Sequence, residues 1–151
     1  MDQKVVDVVC GMDLSEVGNA VEIPHQGKPV YFCGMDCLER FKKNPEKFSK
    51  EPLIKLSNVW KVFKLGGAEI KVLKGLDLHV WPGDFVAIIG ASGSGKSTAL
   101  NMIGLLDRPT TGTIFLKGKD VSQFNEDERA ELRSGAFGFV FQQYNLVPWL
   151  T

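Results

Sequence analysis

The chain has 151 residues, 44% hydrophobic and 24% charged, with 18 Lys and Arg set against 18 Asp and Glu. That composition excludes a disordered polar tail, and without a basic stripe it offers no nucleic-acid footprint, so no nucleic-acid partner is expected. The opening MDQKVVDVVC lacks an apolar core of signal-peptide length, and no apolar run approaches the ~18 residues of a spanning helix, which predicts a cytoplasmic chain. Three cysteines in a reducing compartment argue against a disulfide framework and leave metal binding, catalysis or burial as their uses.

In chain order, AVEI and PVYF read as short strands separated by PHQGK, with Gly27 supplying the turn. The stretch MDCLERFKKN then reads as a short helix with Cys37, Leu38 and Phe41 on one face, and Lys42 and Lys43 in its last turn, where cations suit the helix dipole. A unit of about 50 residues buries little apolar surface and needs a disulfide, a metal or a neighbour. The pattern changes near KFSKEPLIKL, where Lys50, Glu51 and Pro52 read as a linker. Two domains are expected, residues 1–51 and 52–151.

In the second segment, LIKLSNVWKVFK and LDLHV suggest antiparallel strands, DFVAIIG a buried strand, and GKSTALNMIGLL a helix bounded by Pro109. GTIFLKGKDV reads as a further strand and turn. Asn125, followed three residues later by Glu128, opens the solvated helix NEDERAELR with a capping box, and FGFVFQ reads as an apolar strand. This order points to an α/β domain.

Residues 90–98, GASGSGKST, fit the spacing G-x-x-x-x-G-K-[ST]. Gly90, Ala91, Ser92, Gly93, Ser94 and Gly95 allow a tight turn whose backbone N–H groups face a phosphate, and a helix starting near Lys96 adds its positive end. Lys96 is suited to the β- and γ-phosphates, Ser97 to Mg²⁺, and Thr98 continues the helix start. An apolar run before the loop and a helix pattern after it distinguish this from a Gly/Ser surface loop. The residues therefore predict a P-loop NTPase, which alone does not name the reaction.

The blocks NVWKVFK, VLKGLDLHVWPGDFVAIIGASGSGKSTALNMIGLLDRPTTGTIFLKGKDVSQF and LRSGAFGFVFQQYNLVPWLT resemble the nucleotide-binding domain of ABC transporters, from Leu53 to Thr151. Within that family they look most like the lipoprotein-release and macrolide-export ATPases. The resemblance implies ATP with Mg²⁺, adenine stacked on Phe63, and Gln142 reaching Mg²⁺ from the Q-loop. On residue type alone Phe63 is equally a strand core residue and Gln142 a solvated turn residue. It also implies a second ATP-binding subunit, membrane permease subunits and a peripheral place on the inner face of the cell membrane.

Cys10 and Cys33 are separated by 22 residues, and Cys33 and Cys37 by three. Cys33 falls at a strand end and Cys37 near a helix start, where the dipole favours a thiolate. Three sulfurs placed so can converge on Zn²⁺ or Cu⁺, or can be small buried hydrophobes. The surrounding VCGMDL and GKPVYFCGMDCLERFKKNPEKF resemble the YHS or TRASH type of metal-associated domain, which implies a small treble-clef-like α+β unit. Val9 stands where that family commonly has proline. The fourth ligand is open between His25, Met12, Met35, water and a second molecule. His25 otherwise reads as a turn residue and His79 as an exposed strand residue.

Neither an LSGGQ-type signature nor an apolar run ending in Asp-Glu occurs. In the ABC family these parts and the switch histidine follow the Q-loop, so the chain is expected to be the front of a longer product. Alone, it should hydrolyse ATP poorly and expose unpaired strand edges. The leading expectation is the ATPase subunit of an exporter. The alternatives are a Cu or Zn sensing module with a non-hydrolysing nucleotide part, and a small-molecule kinase, which FVFQQYNL and the β-rich lead-in disfavour.

Overall fold

The structure, a computed structural model, describes residues 5–15 and 17–141. Its first element is an antiparallel hairpin of β1 (Val21–His25) and β2 (Lys28–Phe32). The two loop residues Gln26 and Gly27 have φ of 50° and 79°, the left-handed pair that matches a type I′ turn to the strand twist. Helix α1 (Met35–Lys43) follows and buries Cys37, Leu38 and Phe41. A short α2 (Pro45–Phe48) begins where the Asn44 side chain accepts a hydrogen bond from the Lys47 N–H at 3.2 Å.

The second segment is built on a long hairpin of β3 (Ile54–Leu65) and β4 (Ala68–Val80). Gly66 and Gly67, both at positive φ, form its two-residue turn. Strands β5 (Thr111–Leu116) and β6 (Lys119–Asp120) complete an antiparallel sheet of order β4-β3-β5-β6. At its middle Asn58 adopts φ 47° and the register slips. Gly112, at φ 91°, lies so close to the Asn58 carbonyl that a Cβ would collide with it.

Helix α3 (Lys96–Ile103) packs Ala99 and Met102 onto Ile54, Leu56, Val59, Leu73, Ile114 and Leu116. Helix α4 (Glu126–Ala136) carries the expected capping box between Asn125 and Glu128. Its buried Arg129 and the neighbouring Arg133 both donate to the Leu105 carbonyl, tying α4 to the end of α3.

Two expected strands differ. Residues 84–90 and 137–141 join no ladder among the described residues, and Phe85 and Ile89 are 98% and 92% exposed rather than buried. An apolar run becomes a buried strand only when neighbours pair its backbone and cover its faces; no such strands flank these runs among the described residues. Phe137, Phe139 and Phe141 instead stack on one another at ring separations of 6.0 and 5.8 Å.

The two segments share a core. Trp81, in sequence beyond the expected linker, is buried among Val9, Phe32, Phe41 and Phe48, with the Phe48 and Trp81 rings edge-to-face at 5.1 Å. Asp84 holds the same joint from outside, accepting from Trp81 N at 3.0 Å and Lys47 Nζ at 2.6 Å, with Arg40 at 3.3 Å. Burial pushes the Asp84 carboxyl up, but Lys47, the Trp81 N–H and Arg40 outweigh it and bring it below the ordinary value. The small unit has the neighbour that its size demands.

Candidate functional site

The phosphate loop lies between residue 90 and α3. Gly95 caps α3 at φ 91°, and Gly93 is also left-handed at φ 76°, conformations that side-chain-bearing residues rarely adopt. A Cβ on Gly95 would lie 3.1 Å from both the Val72 side chain and its carbonyl, so the loop sits tight against β4. Ala91, Ser92, Gly93 and Ser94 are exposed, which leaves the loop open to an incoming anion. The Lys96 ammonium donates back to the Gly90 carbonyl at 3.0 Å and the Ala91 carbonyl at 2.7 Å. Phosphate oxygens can take those donors, and the helix N-terminus adds to the attraction. Ser97 is exposed on the first turn of α3 and Thr98 half-buried beside it.

Phe63 is 42% exposed, opposite Ile70 in the β3–β4 register, and Lys61 Nζ lies 5.0 Å from its ring centre. It is a partly open aromatic face rather than a core residue. From Ile70 to Asp77, β4, the edge strand of the sheet among the described residues, borders an open cavity of about 740 Å³ that is also lined by Gly93, Ser94, Met12 and Asp13. Gln142 lies outside the described residues.

The second centre gathers Asp7, Cys10, Cys33 and Cys37, whose ligand atoms lie within 4.8 Å of one another. Cys10 and Cys33 Sγ are 3.8 Å apart, and Cys33 and Cys37 Sγ 3.6 Å. Sulfurs 2.3 Å from a tetrahedral Zn²⁺ would be about 3.8 Å apart, close to both of these separations. Local chain geometry produces this: Cys33 follows the end of β2, and Cys37 faces it from the first turn of α1.

Asp7 organises the cluster. Fully buried, it accepts from the N–H groups of Val9 at 2.7 Å, Cys10 at 3.0 Å and Cys33 at 2.6 Å. Burial pushes its carboxyl up, but the N–H groups of Cys33, Cys10 and Val9 and the Cys33 thiol more than offset this, holding it below the ordinary carboxylate value. Cys10 is lowered to about 7, chiefly because the Cys37 thiol donates to it, with help from the Met12 N–H. Burial raises Cys33 to about 12, and Cys37 is pushed up strongly by its bond to Cys10. The hydrogen bond between Cys37 and Cys10 lowers Cys10 and raises Cys37, so the arrangement favours the anion on Cys10 rather than on the helix-start Cys37, because one anion among three close sulfurs is stabilised by the protons of the others.

The ABC transporter family profile matches residues 73–151, more than half of the chain. The chain belongs to the ABC transporter family. Its relatives include the macrolide export ATP-binding/permease protein MacB of Marinobacter nauticus, 53% identical over 68% of this chain and 16% of that protein. MacB of Azoarcus sp. is 56% identical over 64% and 15%, and the pyoverdine export ATP-binding/permease protein PvdT of Pseudomonas entomophila 51% over 64% and 15%. The dimeric ATP-binding cassette MJ0796, bound to ADP and Pi, superposes with a TM-score of 0.62 at 47% identity, over 65% of this chain and 42% of that one. The ABC chain described here thus spans about a sixth of the length of these curated relatives.

Membership of the family implies ATP and Mg²⁺ as ligands. The matched region begins at Leu73, after the cysteine unit. Two important residues escaped the sequence reading. Asp7 could have been noticed as a lone carboxylate within VVDVVC, placed to accept from N–H groups two and three residues ahead. His79, expected to be exposed, is half-buried against Trp81; its N–H donates to the Cys10 carbonyl at 2.8 Å. His25 packs edge-to-face on Phe41 instead of joining the sulfurs, while Met35 is exposed.

Proposed function

We propose that this ABC chain contributes the nucleotide-binding part of an exporter's ATPase. ATP would lie with its phosphates on Gly90–Thr98, Mg²⁺ on Ser97 and Gln142, and adenine on Phe63. Two such subunits would sandwich ATP and drive membrane permease subunits from the cytoplasmic face. No helix among the described residues is long and apolar enough to cross a membrane, and the permease would supply the crossing. The observation that carries this reading is the exposed glycine loop capped onto α3 beside Lys96. Isothermal titration with MgADP tests it: the wild-type chain should bind and Lys96→Ala should lose measurable binding. Equal affinities would remove the assignment.

The sulfur spacing supports a second role for the same chain, in which residues 1–51 form a YHS/TRASH-like metal domain. Cys10, Cys33 and Cys37 would hold Zn²⁺ or Cu⁺, and Asp7 would orient two of them through their N–H groups. Cobalt(II) titration should give thiolate charge-transfer and tetrahedral d–d absorption that Cys33→Ser with Cys37→Ser abolishes. Featureless spectra in the wild-type chain would end the Zn²⁺ reading.

A further inference from the structure

The loop that carries Cys10 also forms a wall of the cavity beside the phosphate loop. The Asp7 N–H donates to the Met12 carbonyl and the Gly11 N–H to the Asp7 carbonyl, each at 2.9 Å, closing residues 7–12 into one tight turn. The Met12 N–H supports the Cys10 sulfur, while Met12 and Asp13 face the cavity that Gly93 and Ser94 border from the other side. Underneath, the turn is seated on β4: His79 N donates to the Cys10 carbonyl, Trp81 Nε1 donates to the Val9 carbonyl, and Gly11 lies so tightly on the His79 ring that a Cβ would sit 2.5 Å from it. The cavity, at about 740 Å³, is within the range of small-molecule sites.

We infer that the cysteine centre and the nucleotide site are thermodynamically coupled through the turn Asp7–Asp13, so that a soft divalent cation on the sulfurs tightens nucleotide binding. The inference rests on both parts of the proposed function. Were Cys10, Cys33 and Cys37 to hold a cation, the turn would be tied to β2 and α1 as well as to β4, and the Met12 and Asp13 wall would be held more firmly before nucleotide arrives. The ordering cost then falls on metal binding instead of on nucleotide binding. Coupling free energies between sites commonly amount to about 5- to 150-fold in affinity, and the effect is reciprocal.

The test uses the whole chain. MgADP is titrated calorimetrically into EDTA-treated protein and into protein loaded with one equivalent of Zn²⁺ and freed of excess. Zn²⁺ affinity is then measured by chelator competition with and without saturating MgADP. The expected result is at least about a fivefold tightening of MgADP on Zn²⁺ loading, matched by the same factor in Zn²⁺ affinity. If both ligands bind with constants unaffected by each other, the coupling is overturned, and if they weaken each other the inferred tightening is overturned, while in both cases the two site assignments stand. Failure to bind Zn²⁺ at all overturns the Zn²⁺ reading and the coupling together. Failure to bind MgADP does the same for the phosphate-loop reading.

Discussion

Trp81 Nε1 donates to the Val9 carbonyl at 2.7 Å, a buried bond between residues 72 apart in sequence. It joins the turn that leads into Cys10 to the end of β4, and the Trp81 ring simultaneously fills the core of the small unit. Replacing Trp81 by Phe keeps much of the ring but orphans the Val9 carbonyl. Denaturant unfolding should show a loss of about 1–3 kcal/mol for Trp81→Phe, against about 3–5 kcal/mol for Trp81→Ala. A Phe variant as stable as wild type would mean that the bond contributes nothing net.

Asp7→Asn tests the carboxylate under the cysteines. An amide oxygen can serve part of what two carboxylate oxygens accept from Val9, Cys10 and Cys33, and its NH₂ meets donors where an acceptor is required. A loss of roughly 1.5–3 kcal/mol is expected at neutral pH in metal-free protein. Because the folded-state pKa lies below the ordinary 3.8, the carboxylate's stabilisation is fully present above that pH and disappears as pH falls through the folded value. The difference between wild type and variant should therefore narrow in strong acid. A gap independent of pH would contradict the assignment.

In EDTA-treated protein, Cys10 should react with iodoacetamide ahead of the other two cysteines, its rate levelling off above about pH 7 instead of near 9. Cys33, raised to about 12, should stay slow across that range. The linked stability terms have opposite signs. The contribution of Cys10 is complete above pH 9 and lost as pH falls through about 7, whereas that of Cys33 is complete below pH 9 and lost as pH rises towards 12. Peptide mapping by mass spectrometry reads the order of labelling, and Zn²⁺ should protect all three positions. Preferential labelling of Cys33 would reverse the assignment of the charge.

Phe63 is open enough to meet a base, so its truncation should be felt by nucleotide more than by the fold. Phe63→Ala is expected to weaken MgADP by about 1–3 kcal/mol, the usual worth of base–aromatic stacking, while Phe63→Tyr retains the face and the affinity. Calorimetric titration of the two variants decides between stacking and a purely structural ring. Equal losses in both would favour the structural role.

What local sequence could determine was determined by short-range chemistry. The spacing from Gly90 to Thr98 places a phosphate loop at a helix start, and Asn125 with Glu128 specifies a capping box, because each depends on residues only a few positions apart. The spacing of Cys33 and Cys37 likewise puts two sulfurs at a strand-to-helix corner. Long-range pairing decided the rest. Whether DFVAIIG and FGFVFQ become buried strands depends on neighbours that apolar composition cannot supply, and in the described residues Phe85 and Ile89 stay in solvent. That Asp7 gathers the cysteine backbone, that Cys10 is lowered while Cys37 is raised, and that Trp81 belongs to the first unit's core followed only from folding. Each depends on groups brought together from distant parts of the chain, where burial and hydrogen bonding, and not residue type, set the protonation and the packing.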